Sequence, residues 1–334
     1  TLSNFKSKNL AESHGRIFTN QCPVFSFGDQ ITTDRIALNL GQHKPSSAWQ
    51  AYVSERTPSA NDILTICWTS GTTGSPKGVP RSHNNWLVSG ISSLDATKMT
   101  QDDILLNPFP MVNMAGIGGF LFPWLLSGNT LVLHHPFELK LFLQQIVDEK
   151  ISYSVAAPAV LNMLLKEPEI MSAADLSSLR AIGSGGAPLT EWMVTSFQDD
   201  YNIPVSNLFG SNEGMCMSSN IDDLPSPADR AIYFPRYGLE GIRWSSRVSK
   251  MTKTRLVDID TGVEILSPGK AGELEIFGPS IFDGYWESEQ DNALVFSDDG
   301  YFRTGDVFEI SDDPTKSMFY KFVGRSKDII VRGG

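Results

Sequence analysis

Strands and helices alternate regularly in the middle of the chain, and this rhythm limits the possible folds more than any other feature. Residues 131–133 and 151–155 are short apolar runs typical of strands, and residues 137–148 between them place apolar side chains at helical spacing. Pro158 then opens another helix, at a position where its missing N–H costs nothing. Strand, helix, strand, helix in this order predicts a parallel sheet covered by helices.

The same rhythm continues through a glycine-rich loop. Residues 179–182 form a predicted strand that runs into the loop 183–188, a helix is predicted from Thr190, and residues 203–208 form the next strand. Ligands of such sheets bind outside the carboxyl ends of the strands. Three polar or glycine-rich loops of this chain follow predicted strands, so we expect them to gather at one edge.

The pattern changes from about Tyr233 onwards. Short alternating runs at 254–259, 272–277 and 318–323 are separated by turns that contain glycine, proline or aspartate. This pattern predicts a small antiparallel β-barrel subdomain. We therefore expect an α/β fold with helix-covered parallel sheets and an added antiparallel β subdomain.

Composition excludes several classes of protein. The formal net charge of −11 argues against binding nucleic acid through a basic surface. The three cysteines are widely spaced without a CxxC pair, which indicates a reduced, cytoplasmic setting without a disulfide framework or zinc site. The most apolar region, residues 104–133, is interrupted by proline and asparagine, so it predicts no membrane-spanning helix of roughly 20 residues.

Residues 69–78, TSGTTGSPKG, carry the strongest chemical signal. Glycines let a backbone approach a phosphate closely, hydroxyls and N–H groups supply neutral donors, and Lys77 supplies a mobile point charge. The loop is not a Walker A loop, because Lys77 precedes glycine rather than serine or threonine. The alternative is a flexible surface loop, which the position directly after the apolar strand 63–68 disfavours.

Five strings together resemble motifs of the acyl-adenylate-forming superfamily, which includes acyl-CoA synthetases, peptide-synthetase adenylation domains and luciferases. They occur in the family's order, and the resemblance covers residues 69–334. TSGTTGSPKG resembles the phosphate loop of that family. The other four resemble its adenine loop, its aromatic-Gly-x-Thr-Glu motif, its ribose motif and its hinge motif, and they are GSGGAPL at 183–189, FGSNE at 209–213, YFRTGD at 301–306 and GRSKD at 324–328.

The resemblance also implies a domain organisation. We expect a fragment of the family's large N-terminal domain, poorly active alone, because the family's C-terminal domain supplies a lysine for adenylation. The expected parts are the end of a preceding α/β subdomain at 1–60, an α/β nucleotide- and acyl-binding subdomain at 61–230, a β-barrel-like subdomain at 231–323 and a hinge segment at 324–334.

The resemblance assigns roles to individual residues. Catalytic roles fall on Lys77, Glu213 and Arg325, and Mg²⁺ would be held by Thr69 and Glu213, since a hard cation prefers oxygen ligands. Asp306 would accept both ribose hydroxyls. In isolation these acids would be interpreted as turn or loop residues, and Arg325 as part of a surface salt bridge. The residues expected at the nucleotide are Thr69, Ser70, Gly71, Thr72, Thr73, Gly74, Lys77, Gly185, Gly186, Ala187, Pro188, Asn207, Phe209, Gly210, Ser211, Asn212, Asp306 and Arg325.

Two positions depart from the family's pattern. Asn212 stands where the family often has threonine, and Asn113 stands where the family often has a histidine that gates the acyl path. The residues expected near the acid are largely apolar and small, and none is a basic partner for a second carboxylate. The resemblance therefore favours an apolar monocarboxylate, near Asn113, Gly116, Gly185 and Met215.

The function implied is ATP-dependent activation of a carboxylic acid as its acyl-adenylate, followed by transfer to coenzyme A. ATP, Mg²⁺ and coenzyme A are the expected cofactor and co-substrates. Two alternatives stay open: an adenylation domain that loads a carrier protein, and a non-catalytic nucleotide- or acyl-binding regulator. The oligomeric state also stays open, with a homodimer as one option.

Overall fold

A computed structural model describes residues 47–69, 76–214 and 216–326, together with four two-residue strands that precede them. The chain divides into two compact units, Thr1–Ser59 and Ala60–Gly334. In the first unit, β1 pairs with β2 in antiparallel fashion and β3 pairs with β4 in parallel. The bounds in this unit are β1 Asn4–Phe5, β2 Lys8–Asn9, β3 Phe25–Ser26, β4 Ile36–Ala37 and α1 Ser47–Ser54.

The second unit begins with an antiparallel hairpin of β5 (Ile63–Thr69) and β6 (Lys77–Ser82). Residues 70–75, between the two strands in sequence, lie outside the described residues. Helix α2 (His83–Thr97) follows directly, and its first turn is fixed by a capping box between Ser82 and Asn85. The amide of Asn85 also donates to the carbonyls of Pro279 and Ile281, at 2.9 and 3.1 Å. The first turn of helix α2 is therefore anchored to a distant loop of the same unit.

A six-stranded sheet forms the centre of this unit. Its strand order is β12-β11-β10-β9-β7-β8, and all neighbouring pairs are parallel except β11 with β12. Leu105 and Leu106 in β7 are completely buried, as expected for a strand covered on both faces. The strand bounds are β7 Ile104–Asn107, β8 Thr130–Leu133, β9 Tyr153–Val155, β10 Ala181–Gly185, β11 Val205–Gly210 and β12 Cys216–Ser219.

Helices cover this sheet and bury an apolar cluster against it, in which Phe142, Leu161 and Met193 are almost completely buried. Between β7 and β8 the chain is helical from Met114 to Ser127, and this stretch includes one π-helical turn at Ile117–Leu121. The helix bounds are α3 Met114–Gly116, α4 Phe122–Ser127, α5 Leu139–Asp148, α6 Pro158–Lys166, α7 Pro168–Ala173, α8 Glu191–Tyr201 and α9 Pro227–Ile232.

A second six-stranded sheet, antiparallel throughout, occupies the rest of the unit. Its strand order is β13-β18-β17-β16-β14-β15. Helix α10 (Glu289–Val295) and short 3₁₀ turns at Arg247–Lys250 and Pro314–Lys316 connect its strands. The strand bounds are β13 Tyr233–Pro235, β14 Lys253–Val257, β15 Glu264–Ile265, β16 Ala271–Phe277, β17 Phe302–Ile310 and β18 Phe319–Arg325.

The predicted fold class is confirmed: a helix-covered sheet, parallel in five of its strands, is joined to an antiparallel β subdomain. The finer subdomain boundaries stay a prediction. The loop at 69–78 differs from the expectation, because its flanking strands form a separate hairpin rather than strands of the parallel sheet. Among the described helices, none combines the length and the apolar character needed to cross a membrane.

Candidate active site

A cavity of about 910 Å³ is lined by residues from both six-stranded sheets. The carboxyl ends of β10 and β11 open on one side of it, and β17 and β18 close another side. Ligand cavities of this size at the carboxyl edge of a parallel sheet are typical of nucleotide and cofactor sites. The predicted nucleotide residues that line it are Gly186, Ala187, Pro188, Asn207, Phe209, Gly210, Ser211, Asp306 and Arg325.

Gly186 lines this cavity, and Gly185 directly precedes it as the last residue of β10. Gly185 lies opposite Leu208 in the ladder, and a Cβ atom there would lie 2.1 Å from the Leu208 carbonyl oxygen. Gly186 follows with φ of +81°, a left-handed conformation that glycine adopts at little cost. Gly185 is therefore required because its strand lies close to the Leu208 backbone, and Gly186 because its backbone is left-handed.

Phe209 forms part of an aromatic cluster at the same edge. Its ring centroid lies 5.1 Å from that of Phe308, 5.7 Å from that of Phe234 and 6.4 Å from that of Phe322. These neighbours come from three strands of the antiparallel sheet, so Phe209 joins the two sheets. Because Phe209 also lines the cavity, part of its surface stays available to a ligand.

Two polar residues at this edge of the sheet, Asn207 and Ser211, differ in the hydrogen bonds that their side chains make. The Asn207 amide is buried and donates to the carbonyls of Arg230 and Ala231, at 3.1 and 3.0 Å. Its predicted contact with nucleotide would have to come from its remaining oxygen or its backbone. The buried Ser211 hydroxyl, in contrast, has no hydrogen-bond partner within the described part of the chain.

Asp306 is the buried carboxylate of the cavity. Desolvation raises its pKa to about 6, against an opposing contribution from Arg325, whose Nε lies 3.4 Å from Asp306 Oδ1. The carboxylates of Glu273 and Glu213 raise the pKa further. The protein therefore holds an ionised carboxylate there at neutral pH at a cost to its own stability.

We expect Asp306→Asn to stabilise the chain at neutral pH. The unfolded chain ionises this carboxyl near its ordinary pKa of 3.8 and the folded chain near 6, so stability is lost as pH rises through that window. The amide cannot ionise and avoids this loss, which amounts to about 3 kcal/mol. Urea unfolding should show a gain approaching that size at pH 8 and a much smaller one at pH 4. Equal stability of the two proteins at pH 8 would contradict the assignment.

Lys77, Tyr285 and Glu213 form a connected group beside the hairpin. Lys77 Nζ lies 5.0 Å from the centre of the Tyr285 ring, and the Tyr285 hydroxyl donates to Glu213 Oε1 at 3.0 Å. Lys77 Nζ also forms an ion pair of 2.5 Å with Asp291 Oδ1. The structure thus brings together two of the predicted catalytic residues, through a tyrosine that lies between them.

Glu213 and Thr69 are the residues predicted to hold Mg²⁺. Glu213 offers a part-exposed carboxylate of which one oxygen is held by Tyr285, and the Thr69 hydroxyl lies 3.5 Å from the carbonyl of Lys77. Among the described residues, no three acidic, histidine or cysteine side chains are grouped so that they could hold a metal ion by themselves. This sparse set of oxygen donors fits Mg²⁺ bound mainly by substrate phosphates and water.

The two departures from the family's pattern meet in space. Asn113 caps helix α3 by accepting from the N–H of Gly116 at 3.1 Å. The side chain of Asn212 accepts from the N–H of Met114 at 2.9 Å, and its carbonyl accepts from the buried Arg81 at 3.0 Å. The predicted nucleotide motif is therefore bonded directly to the predicted acyl segment.

Gly116 permits close packing at this segment. A Cβ atom at Gly116 would lie 2.3 Å from the Pro110 carbonyl oxygen, so no larger residue fits without backbone movement. The π-helical turn that follows is a feature often found at functional sites. Met215, the fourth predicted acyl residue, lies outside the described residues, as do Ser70, Gly71, Thr72, Thr73 and Gly74.

Comparison with known sequences identifies the family. Residues 9–286 match the family described as AMP-binding enzymes. The chain belongs to this family. Among curated AMP-binding relatives, an indoleacetate–CoA ligase from Aromatoleum aromaticum is 32% identical over 81% of the chain and 49% of its own length. A feruloyl-CoA synthase from an Amycolatopsis species is 30% identical over 82% of the chain and 52% of its own length.

The fold of this AMP-binding enzyme is also similar to solved structures. ATP-bound MatB from Rhodopseudomonas palustris matches with a TM-score of 0.65 and 25% identity, over 82% of this chain and 50% of that protein. The chain thus spans about half the length of the curated and structural relatives it matches.

Three residues of the candidate site, Tyr285, Arg81 and Asp291, lie outside the motifs predicted from the sequence. Tyr285 stands in a Gly-Tyr-Trp string after a buried apolar run, a signal that could have suggested a close-packed turn. Arg81 lies four residues after Lys77 in β6, and its complete burial has no sequence signature. Asp291 lies in a short helix without any motif.

Proposed function

We propose that the whole protein activates a carboxylic acid with ATP and transfers the acyl group to coenzyme A. In the first half-reaction the acid's carboxylate oxygen attacks the α-phosphorus of ATP, and pyrophosphate leaves. In the second, the coenzyme A thiol attacks the acyl carbon, loses its proton, and AMP leaves. The observation that carries the proposal is the cavity, because it collects residues of four separate motifs at one sheet edge.

Positioning and charge neutralisation account for most of the catalysis of in-line phosphoryl chemistry. The Lys77 ammonium is suited to balance charge that develops as pyrophosphate leaves. Asp306 is suited to accept hydrogen bonds from ribose, and Arg325 at the mouth of the cavity is suited to a phosphate or ribose oxygen. Glu213 and Thr69 would hold Mg²⁺, which when bound neutralises phosphate charge. Gly185, Gly186 and Phe209 would receive the adenine ring.

We further propose an apolar monocarboxylic acid, with an aromatic group, as the substrate. The helical segment from Asn113 to Leu121 contains no charged residue. A second carboxylate would have no basic partner there, and an unpaired buried charge is costly. The names of the relatives, an indoleacetate–CoA ligase and a feruloyl-CoA synthase, agree with an aromatic acid and with coenzyme A as acceptor.

We also propose a cytoplasmic location. Cys67 is a buried free thiol whose pKa is raised by burial, so it has little thiolate character and is an inert packing residue. Such cysteines are ordinary in reducing compartments.

Acid-dependent exchange of pyrophosphate into ATP tests the function. We expect the whole protein to exchange labelled pyrophosphate only when a suitable acid is present, with arylacetic and cinnamic acids ahead of dicarboxylic acids in a panel. The control omits the acid. Binding of ATP without exchange for any acid would favour the regulator instead, and exchange with acyl transfer only to a carrier protein would favour the adenylation-domain alternative.

A further inference from the structure

The segment between Tyr285 and Asn292 contacts two charged side chains of the candidate site, Lys77 and Glu213. Lys77 Nζ lies 2.5 Å from Asp291 Oδ1 and above the ring of Tyr285. The hydroxyl of the same tyrosine holds Glu213. We name residues 285–292 the holding segment, because it binds the ammonium at one end and fixes the carboxylate through the tyrosine at the other.

The holding segment is itself fixed by hydrogen bonds. Asn292 Oδ1 accepts from the N–H of Tyr285 at 2.7 Å, and Asn292 Nδ2 donates to the Tyr285 carbonyl at 3.1 Å. The N–H of Trp286 donates to the carbonyl of Gly78, the residue after Lys77, at 2.8 Å. The segment therefore keeps a fixed position relative to the strand that carries Lys77.

Each oxygen of the Asp291 carboxylate accepts one bond in this arrangement. Its Oδ1 accepts from Lys77, and its Oδ2 accepts from the Ser288 hydroxyl at 2.6 Å. The ion pair with Lys77, then the bond from Ser288, lowers the pKa of Asp291, so the carboxylate is charged at neutral pH. The Lys77 side chain is only 15% exposed in this pair, which leaves little of its surface to another anion.

We propose that Asp291 is a positioning residue that holds Lys77 in the ligand-free protein and competes with the nucleotide phosphates for it. This inference rests on the proposed function, since it takes ATP as the ligand. A phosphate oxygen that reaches the Lys77 ammonium must displace the Asp291 carboxylate or approach it closely, and two like charges at that distance repel. Removing the charge of Asp291 should therefore strengthen ATP binding.

The test compares Asp291→Asn with a matched control, Glu289→Gln. Both remove one negative charge from helix α10, but Glu289 is exposed and forms no ion pair with Lys77. Two quantities are measured on the whole protein: the rate at which an amine-reactive reagent labels Lys77 without ligand, read by mass spectrometry, and the Kd for MgATP. Thermal melting checks that both variants are folded.

We expect Asp291→Asn to label Lys77 several-fold faster and to lower the Kd for MgATP by roughly fivefold, the scale of a part-exposed ion pair. Glu289→Gln should change neither. Unchanged labelling in Asp291→Asn would overturn the inference, because Lys77 would not be held. Faster labelling with unchanged or weaker ATP binding would overturn it as well, because Asp291 would then assist the phosphate contact. ATP binding to none of the proteins would overturn the proposed function together with this inference.

Discussion

Replacing Lys77 by alanine in the whole protein should lower acid-dependent pyrophosphate exchange by roughly 10²–10³ at saturating ATP, equivalent to about 3–4 kcal/mol. The reason is that an ammonium at the end of a phosphate loop is worth most where negative charge develops, in the transition state. If Lys77 only anchored ATP, its loss would raise the apparent KM for ATP and leave the saturated rate intact. The measurement is the exchange rate as a function of ATP concentration.

Lys316 provides a matched control for this substitution. Its ammonium pairs with Asp229 at 2.6 Å and lies 5.2 Å from the centre of the Tyr233 ring, much as Lys77 lies between Asp291 and Tyr285. Lys316→Ala removes the same kind of ion pair outside the candidate site, and the exchange rate should stay within about twofold. Equal losses in the two variants would mean that Lys77 acts only through stability, and no loss in either would remove Lys77 from the reaction.

Asp306→Ala should weaken binding of ATP and AMP alike, by roughly 100-fold in Kd. An ionised carboxylate that accepts hydrogen bonds from ribose contributes about 3 kcal/mol, and both nucleotides carry the ribose. Calorimetry at pH 8 measures both affinities. Because the substitution also removes a buried charge that destabilises the fold, reduced binding would not follow from unfolding.

Glu309→Ala is the control for this second prediction. Glu309 lies on the same strand, β17, and pairs with Lys321 at 3.3 Å. Its loss should leave both affinities nearly unchanged. Weaker binding of ATP with normal binding of AMP in Asp306→Ala would contradict a ribose contact and indicate an effect on the phosphates instead.

The sequence predicted the parallel sheet because strand and helix periods alternate clearly between residues 131 and 208. It did not predict β7, because Ile104–Asn107 continues into an apolar region whose prolines and glycines conceal the boundary. It also missed helix α2, which has weak amphipathic character because Asn85, Ser89 and Ser92 are buried along with its apolar residues. Hydrophobic periodicity gives only a weak signal for a helix whose buried face is partly polar.

Residues of the candidate site could be predicted from the sequence only where they belong to short sequence motifs. Asp306 and Arg325 lie in two such motifs, and the structure brings them within 3.4 Å. Asp291 is different, because it is 214 residues from Lys77 along the chain and gains its role only from tertiary contact. No local sequence pattern predicts the pairing of Lys77 with Asp291, so only the structure identifies it.

The bond from Met114 to Asn212 has a consequence for redesigning this protein. The N–H of Met114 depends on an asparagine side chain that also sits in the turn leading to Glu213. A library that varies only the predicted acyl segment would keep this bond in some variants and break it in others. If the proposed function holds, variants selected for a new acid would then differ in their response to ATP. Binding free energies linked through a shared element are reciprocal. Specificity for the acid should therefore be engineered with position 212 varied in the same library.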